Sequence, residues 1–142
     1  MILAFPAVCD ALFSRLTTAL GSSSVFDGPP ARIPGSSGLA LGTTREDVSS
    51  DFTADPAGLS GVTAEGFSVT CLAWAGGGGV TFKPFRDRVR DIVAATADAI
   101  ASDPTLSGAV DTAEVTGGTW LQEQTGEGAL VTCEFRINVR KF

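Results

Sequence analysis

The stretch Ala129–Phe142 reads ALVTCEFRINVRKF, and its reading decides the fold class. Ala129, Val131, Cys133, Phe135, Ile137 and Val139 occupy alternate positions, with Thr132, Glu134, Arg136, Asn138 and Arg140 between them. Period-two alternation predicts a strand with one apolar and one polar face. A slip of one residue would turn the whole apolar set outward, so the register of this strand is well specified. Its apolar face needs a cover, and the rest of the chain has to supply it.

Working backwards, Gly126-Glu127-Gly128 predicts a hairpin turn. Thr119–Thr125 (TWLQEQT) predicts the partner strand, Gly117-Gly118 a kink or turn, and Asp111–Thr116 a further strand. A helix is expected from Pro84 to Ser102, with Phe85, Val89, Ile92/Val93, Thr96 and Ala99/Ile100 as its buried stripe. Asp103-Pro104 ends it, because a residue before proline disfavours the helical region. A first helix is expected from Pro6 to Leu20, where Val8, Leu12, Leu16 and Ala19/Leu20 recur at helical spacing and Gly21 suits the stop.

Val25-Phe26 reads as a short strand entering the turn Asp27-Gly28-Pro29-Pro30, and Leu39–Leu41 as a brief one. From Val62 to Trp74 a long strand is expected, with Glu65, Phe67, Val69, Cys71 and Ala73 on one face and Gly66, Ser68, Thr70, Leu72 and Trp74 on the other. Gly42–Gly61 is polar without lasting periodicity and reads as a long loop; such a loop in a compact domain usually carries function or is disordered. These elements predict one α+β domain over residues 1–142. Two helices pack on one face of a mostly antiparallel sheet of four to five strands, with a long loop around 42–61. The second face of the sheet is expected to be polar.

The chain has 142 residues, enough to bury roughly 68–70% of its unfolded surface. Its net charge is −6, which disfavours gripping DNA or an anionic membrane through the overall field. There is no histidine, so most catalytic triads and many metal sites are excluded. Cys9, Cys71 and Cys133 are far apart and form no CxxC pair, so they read as small buried hydrophobes. The opening MILAFPAVCDALFSRL lacks a positive leading region, and Asp10 cuts its apolar run early, so no targeting signal is expected. No run reaches the length of a membrane span.

Gly76–Gly79, followed by a basic helix start, invites comparison with a phosphate cradle. A Walker loop needs Gly-Lys-Ser/Thr at the helix start, whereas Lys83 comes four residues late and Pro84 follows it. A dinucleotide fingerprint needs Gly-x-Gly-x-x-Gly running straight into the helix, and that also fails. The run reads instead as a pliable strand-to-helix connection. Glu123 and Glu134 fit cross-strand neighbours on a solvated face better than an acid–base pair. The acidic residues of REDVSSDFTADP lack the glycine and closing glutamate of a calcium loop. Trp74 and Trp120 fit either core positions or interface anchors. No catalytic group converges, so no enzyme activity, cofactor or metal is expected.

Two stretches together resemble a known family: VFDGPP after the first helix, and ADAIASDPTLSGAVDTAEVTGGTWLQEQTGEGALVTCEFRINVR near the end. Their order and spacing are similar to those of the tail terminator (tail completion) proteins of long non-contractile-tailed phages of actinobacteria. The resemblance covers roughly residues 7–30 and 62–141. It implies a structural virion protein at the head-proximal end of the tail, assembled in the host cytoplasm, that forms a ring, commonly of six subunits. Such a ring ends polymerisation of the tail tube and meets the head–tail connector or stopper protein. DNA passes through the lumen without specific binding, for which an acidic wall is suited. A head-closure or head–tail connector component is the alternative within the same class, and a small-molecule-binding α+β domain is the alternative outside it. A ring contact needs two different patches. Glu123, Gln124, Glu134 and Arg136 on the polar sheet face and hairpin are candidates for one. Arg86, Arg88 and Arg90 at the basic helix start are candidates for the other, with the loop 43–61 as a contact to tube or head.

Overall fold

The computed structural model describes residues 5–22, 24–27, 37–41, 50–56, 63–79, 81–126 and 128–141. Its elements run α1 (Phe5–Leu20), β1 (Val25–Asp27), β2 (Ser37–Leu41), β3 (Ser50–Pro56), β4 (Thr63–Gly77), α2 (Lys83–Ser102), β5 (Thr112–Thr125) and β6 (Gly128–Lys141). The sheet follows the order β1-β2-β4-β6-β5, with β3 also paired to β4. β1 and β2 are parallel and every other pairing is antiparallel. The α+β class, the two helices and the mostly antiparallel sheet agree with the expectation from sequence.

The final strand has the register its alternation demands. Val131, Cys133, Phe135, Ile137 and Val139 are all buried, and they pair with β4 so that Phe135 faces Cys71 and Cys133 faces Ala73. Val69, Cys71, Ala73 and Ala75 extend the same apolar face along β4. Both helices cover it, α1 with Val8, Leu12 and Leu16, α2 with Val89, Ile92, Ala99 and Ile100. Each valine, leucine or isoleucine among them contributes about 1.5–3 kcal/mol when fully buried. The Arg15 Nε–H donates to the Ala99 carbonyl at 3.1 Å and ties the two helices together.

Three features differ from expectation. The segment read as the loop 42–61 contains β3, whose residues Ser50–Pro56 pair antiparallel with Thr63–Val69 of β4. β2 occupies only Cys71–Ala75 on that edge, so the outer groups of Thr63–Val69 need another partner. The sequence of this strand gives no lasting periodic signal. β2 and β3 thus lie end to end beside β4, and the sheet is five strands wide while containing six. Residues 42–49 and 57–62 of the same segment lie outside the described residues, as does the Gly28-Pro29-Pro30 turn.

The second difference is at Gly117-Gly118. The two strands expected on either side of it are a single strand, β5, with a register irregularity between Thr116 and Gly118. Gly117 takes φ +57, a left-handed value that glycine adopts without steric cost, so the extra residue is absorbed as a bulge. The third is in the glycine run. Gly76 and Gly77 are the last residues of β4, paired with Leu130 and Ala129, so only the run's second half connects strand to helix.

The far face of the sheet is only partly polar. Ala40, Thr70, Leu72, Trp74 and Thr132 are buried there. The Trp74 ring packs against Phe26, centroids 5.7 Å apart, and over Gly38. Of the two readings open for Trp74, core is the correct one.

Candidate assembly surface

The basic helix start is split by helical geometry. Side chains on α2 turn about 100° per residue, which sets Arg86 and Arg88 on opposite flanks of the core-facing stripe. Their partners agree. Arg86 donates to Gln122 Oε1 on β5 at 3.1 Å, and Arg88 donates to Ser37 Oγ at the start of β2 at 3.3 Å. Arg90 pairs with Asp91 at 3.1 Å and lies 3.7 Å from Asp87, while Lys83 holds Asp87 at 2.9 Å. The Lys83 hydrogen bond is the main reason that the Asp87 carboxyl titrates below its ordinary range. All these groups are solvent-exposed, and such pairs contribute little to stability.

The hairpin candidates also divide between the faces of the sheet. Glu134 lies opposite Leu72 on one side and Thr119 on the other, and Glu123 lies opposite Leu130. Both occupy the face away from the helices, but four residues apart along β6, so they are not direct cross-strand neighbours as the sequence suggested. The hairpin turn after Thr125 sets this register, which runs unbroken from Thr125–Gly128 to Gly118–Phe135. Arg136, opposite Thr70 and Thr116, is exposed on that same face. Gln124 is on the helix side, where its Nε2 donates to the Gly79 carbonyl at 3.1 Å. Gln122 and Gln124 therefore fasten the hairpin to the start of α2 and to the glycine turn. The glycine connection is braced against β5, and Gly76 and Gly77 are committed to the sheet ladder rather than to a ligand.

Trp120 and Leu121 are the residues this surface adds. They are 48% and 40% exposed, the large hydrophobics exposed among the described residues. Trp120 lies opposite Cys133 and Leu121 opposite Thr132, so one projects on each face of the hairpin. The anchor reading open for Trp120 fits this exposure. Leu121 gave no separate signal, because it lies on the face away from the helices, where exposure is set by how the sheet ends.

Elsewhere the molecule offers little chemistry. An apolar pocket of about 30 Å³, lined by Cys9, Leu12, Asp27, Leu41 and Val69, has room for water but not for a substrate. Burial raises the Cys9 thiol pKa first, and the Asp27 and Asp10 charges add to it, so the thiol is protonated and a poor nucleophile. Burial likewise raises Cys133, with Glu134 adding to the effect. Among the described residues no group of three His, Cys, Asp or Glu is placed to hold a metal. Among them, too, no helix is long and apolar enough to cross a membrane.

Comparison with known proteins finds no matching family model and no matching curated protein. Among solved structures the chain is similar to one in the virion of a native gene transfer agent particle, at 12% identity and a TM-score of 0.48, over 99% of this chain and 98% of that one.

Proposed function

We propose that this protein is a structural virion component, a tail terminator whose ring caps the tail tube, ends its polymerisation and joins it to the head connector. The observation that carries this reading is the ordered resemblance along the chain. Its motifs fall in order on two parts of the fold: β1 after α1, then the end of α2, the Asp103 turn, the bulged β5 and β6. The surface supports an assembly role. Most of the described charged side chains lie on α2, β5 and β6, and Trp120 is exposed on β5. The reading assigns no catalysis and no cofactor. Hexameric stoichiometry, the tube and connector as partners and passive DNA passage come with the resemblance and are part of the proposal.

Deleting the gene tests it directly. A terminator's loss leaves tail tubes of uncontrolled length and heads without tails. Loss of a connector component leaves tails of normal length beside filled heads. Normal, infectious particles without the protein would refute both, and electron microscopy of the lysate reads all three outcomes.

A further inference from the structure

β5 is the last strand on its side of the sheet, 14 residues long, and among the described residues no strand pairs with its outer edge. Such an edge is a template for another chain, and solitary proteins blunt theirs with lysine or proline. β5 carries neither; its bulge at Gly117 interrupts the edge in the middle, but beyond it Thr119–Thr125 runs in unbroken register and holds Trp120 and Leu121 exposed on its two faces. Large aromatic side chains of this kind are preferred anchors of protein–protein contacts.

Charge indicates the occupant. From Asp111 to Gly128 the chain carries four acidic residues and no basic one. Two copies of β5 laid edge to edge would set like charges together, which is destabilising. The stretch Lys83–Arg90 is the reverse, with four basic residues and one acidic. Of these, Lys83 and Arg90 are engaged with Asp87 and Asp91, and Arg86 with Gln122 on the β5 side. Arg88 is on the other flank of α2, hydrogen-bonded to the neutral Ser37.

We propose that the Trp120–Leu121 edge of β5 docks on the Arg88 side of α2 and β2 of a second copy, head to tail. The inference rests on the ring reading for its closure, and adds which two surfaces meet. Different patches on opposite sides make a heterologous contact, which closes into a ring or continues as a filament. The acidic strand then approaches an arginine, and the exposed tryptophan and leucine leave water.

Complementation of two variants tests this. Trp120→Ser/Leu121→Ser removes the edge anchor and leaves Arg88 intact; Arg88→Glu does the reverse. Sedimentation is run over a range of concentrations and salt. The wild type is expected to form oligomers that loosen as salt rises. Each variant alone is expected to remain at the 14.5 kDa chain mass. Their equimolar mixture, with one productive contact available, should form a species of twice that mass and nothing larger. Dimer formation in the mixture also shows that both variants are folded. Self-association by Arg88→Glu at wild-type strength, a mixture that stays monomeric, or a wild type monomeric throughout would overturn the proposal. None of these bears on the particle phenotype that tests the tail-terminator reading, so the two fail separately.

Discussion

Gly38→Ala examines the far face of the sheet, where the chain's largest buried side chain sits. Gly38 is opposite Trp74 in the β2–β4 pairing. A methyl group there would lie 2.6 Å from Trp74 Cζ2, 2.9 Å from Cη2 and 3.1 Å from the Ser24 carbonyl oxygen. Neither neighbour can yield easily. Trp74 is 1% exposed, and the Ser24 carbonyl accepts the Leu39 amide at 2.8 Å. Overpacking of this kind costs about 1–3 kcal/mol. Replacing glycine by alanine in extended backbone returns about 0.4–1 kcal/mol through the unfolded chain. The net expectation is a loss of about 1–2 kcal/mol, which lowers the melting temperature by roughly 3–8 °C in a chain of this size.

Trp74→Phe supplies the control, since phenylalanine lacks the two ring atoms that the methyl would strike. It also removes Trp74 Nε1–H, a buried donor that finds no hydrogen-bond partner among the described residues. In the Trp74→Phe background, Gly38→Ala should be neutral or slightly stabilising, a coupling of about 1–2 kcal/mol between the two sites. Urea denaturation of the four proteins of the cycle measures it. If Gly38→Ala were harmless in the wild type, or equally harmful in both backgrounds, the packing argument would be refuted.

The glycine run should respond unevenly to alanine. At Gly76 the new Cβ would lie 2.8 Å from the Ala129 carbonyl oxygen, whereas at Gly78 nothing stands within 4 Å. Gly76→Ala should therefore lower the urea midpoint and Gly78→Ala leave it unchanged or raised. Gly128→Ala should be harsher still, because φ is +122 there and the Cβ would fall on the Gly77 carbonyl; loss of cooperative unfolding by circular dichroism is the readout. Phe135→Ala, at a residue 2% exposed, should cost about 3–5 kcal/mol by denaturant titration. Asp103 organises the turn after α2. Burial raises its carboxyl pKa, but the Ser107 amide, the Thr105 hydroxyl and the Ser107 hydroxyl outweigh that, with Arg15 adding, and hold it below its ordinary 3.8. A folded pKa below the unfolded one contributes stability above about pH 4, and that contribution disappears as pH falls through the folded value. Stability profiles of wild type and Asp103→Asn should converge below pH 4 and separate above it; parallel profiles would show that the carboxylate has no such role.

Ala129–Val139, Pro84–Ser102 and Pro6–Leu20 were legible because each segment's burial pattern is periodic in the chain itself. A strand or helix with one buried face repeats that face every two or 3.6 residues. From those repeats follow the layers, the helix-covered face of the sheet and the register of β6. The candidate surface was legible only in part: Arg86, Arg88 and Arg90 announced a basic helix start, but not that the helix turns Arg86 and Arg88 to opposite sides. β3 could not be read, because Ser50–Pro56 has no lasting periodicity and its strand is defined by backbone pairing with Thr63–Val69 of β4. The distance between Glu123 and Glu134 depends on where the β5–β6 hairpin turns, and the bulge at Gly117 on pairing with β6, as the burial of Trp74 depends on Gly38 and Phe26. The exposure of Trp120 and Leu121 depends on the end of the sheet, where no further strand among the described residues covers β5. Periodicity is a property of the chain and was written in the sequence. Which edges are filled, which face is sealed and which aromatic meets water arise from pairings between distant residues, and only the tertiary structure decided them.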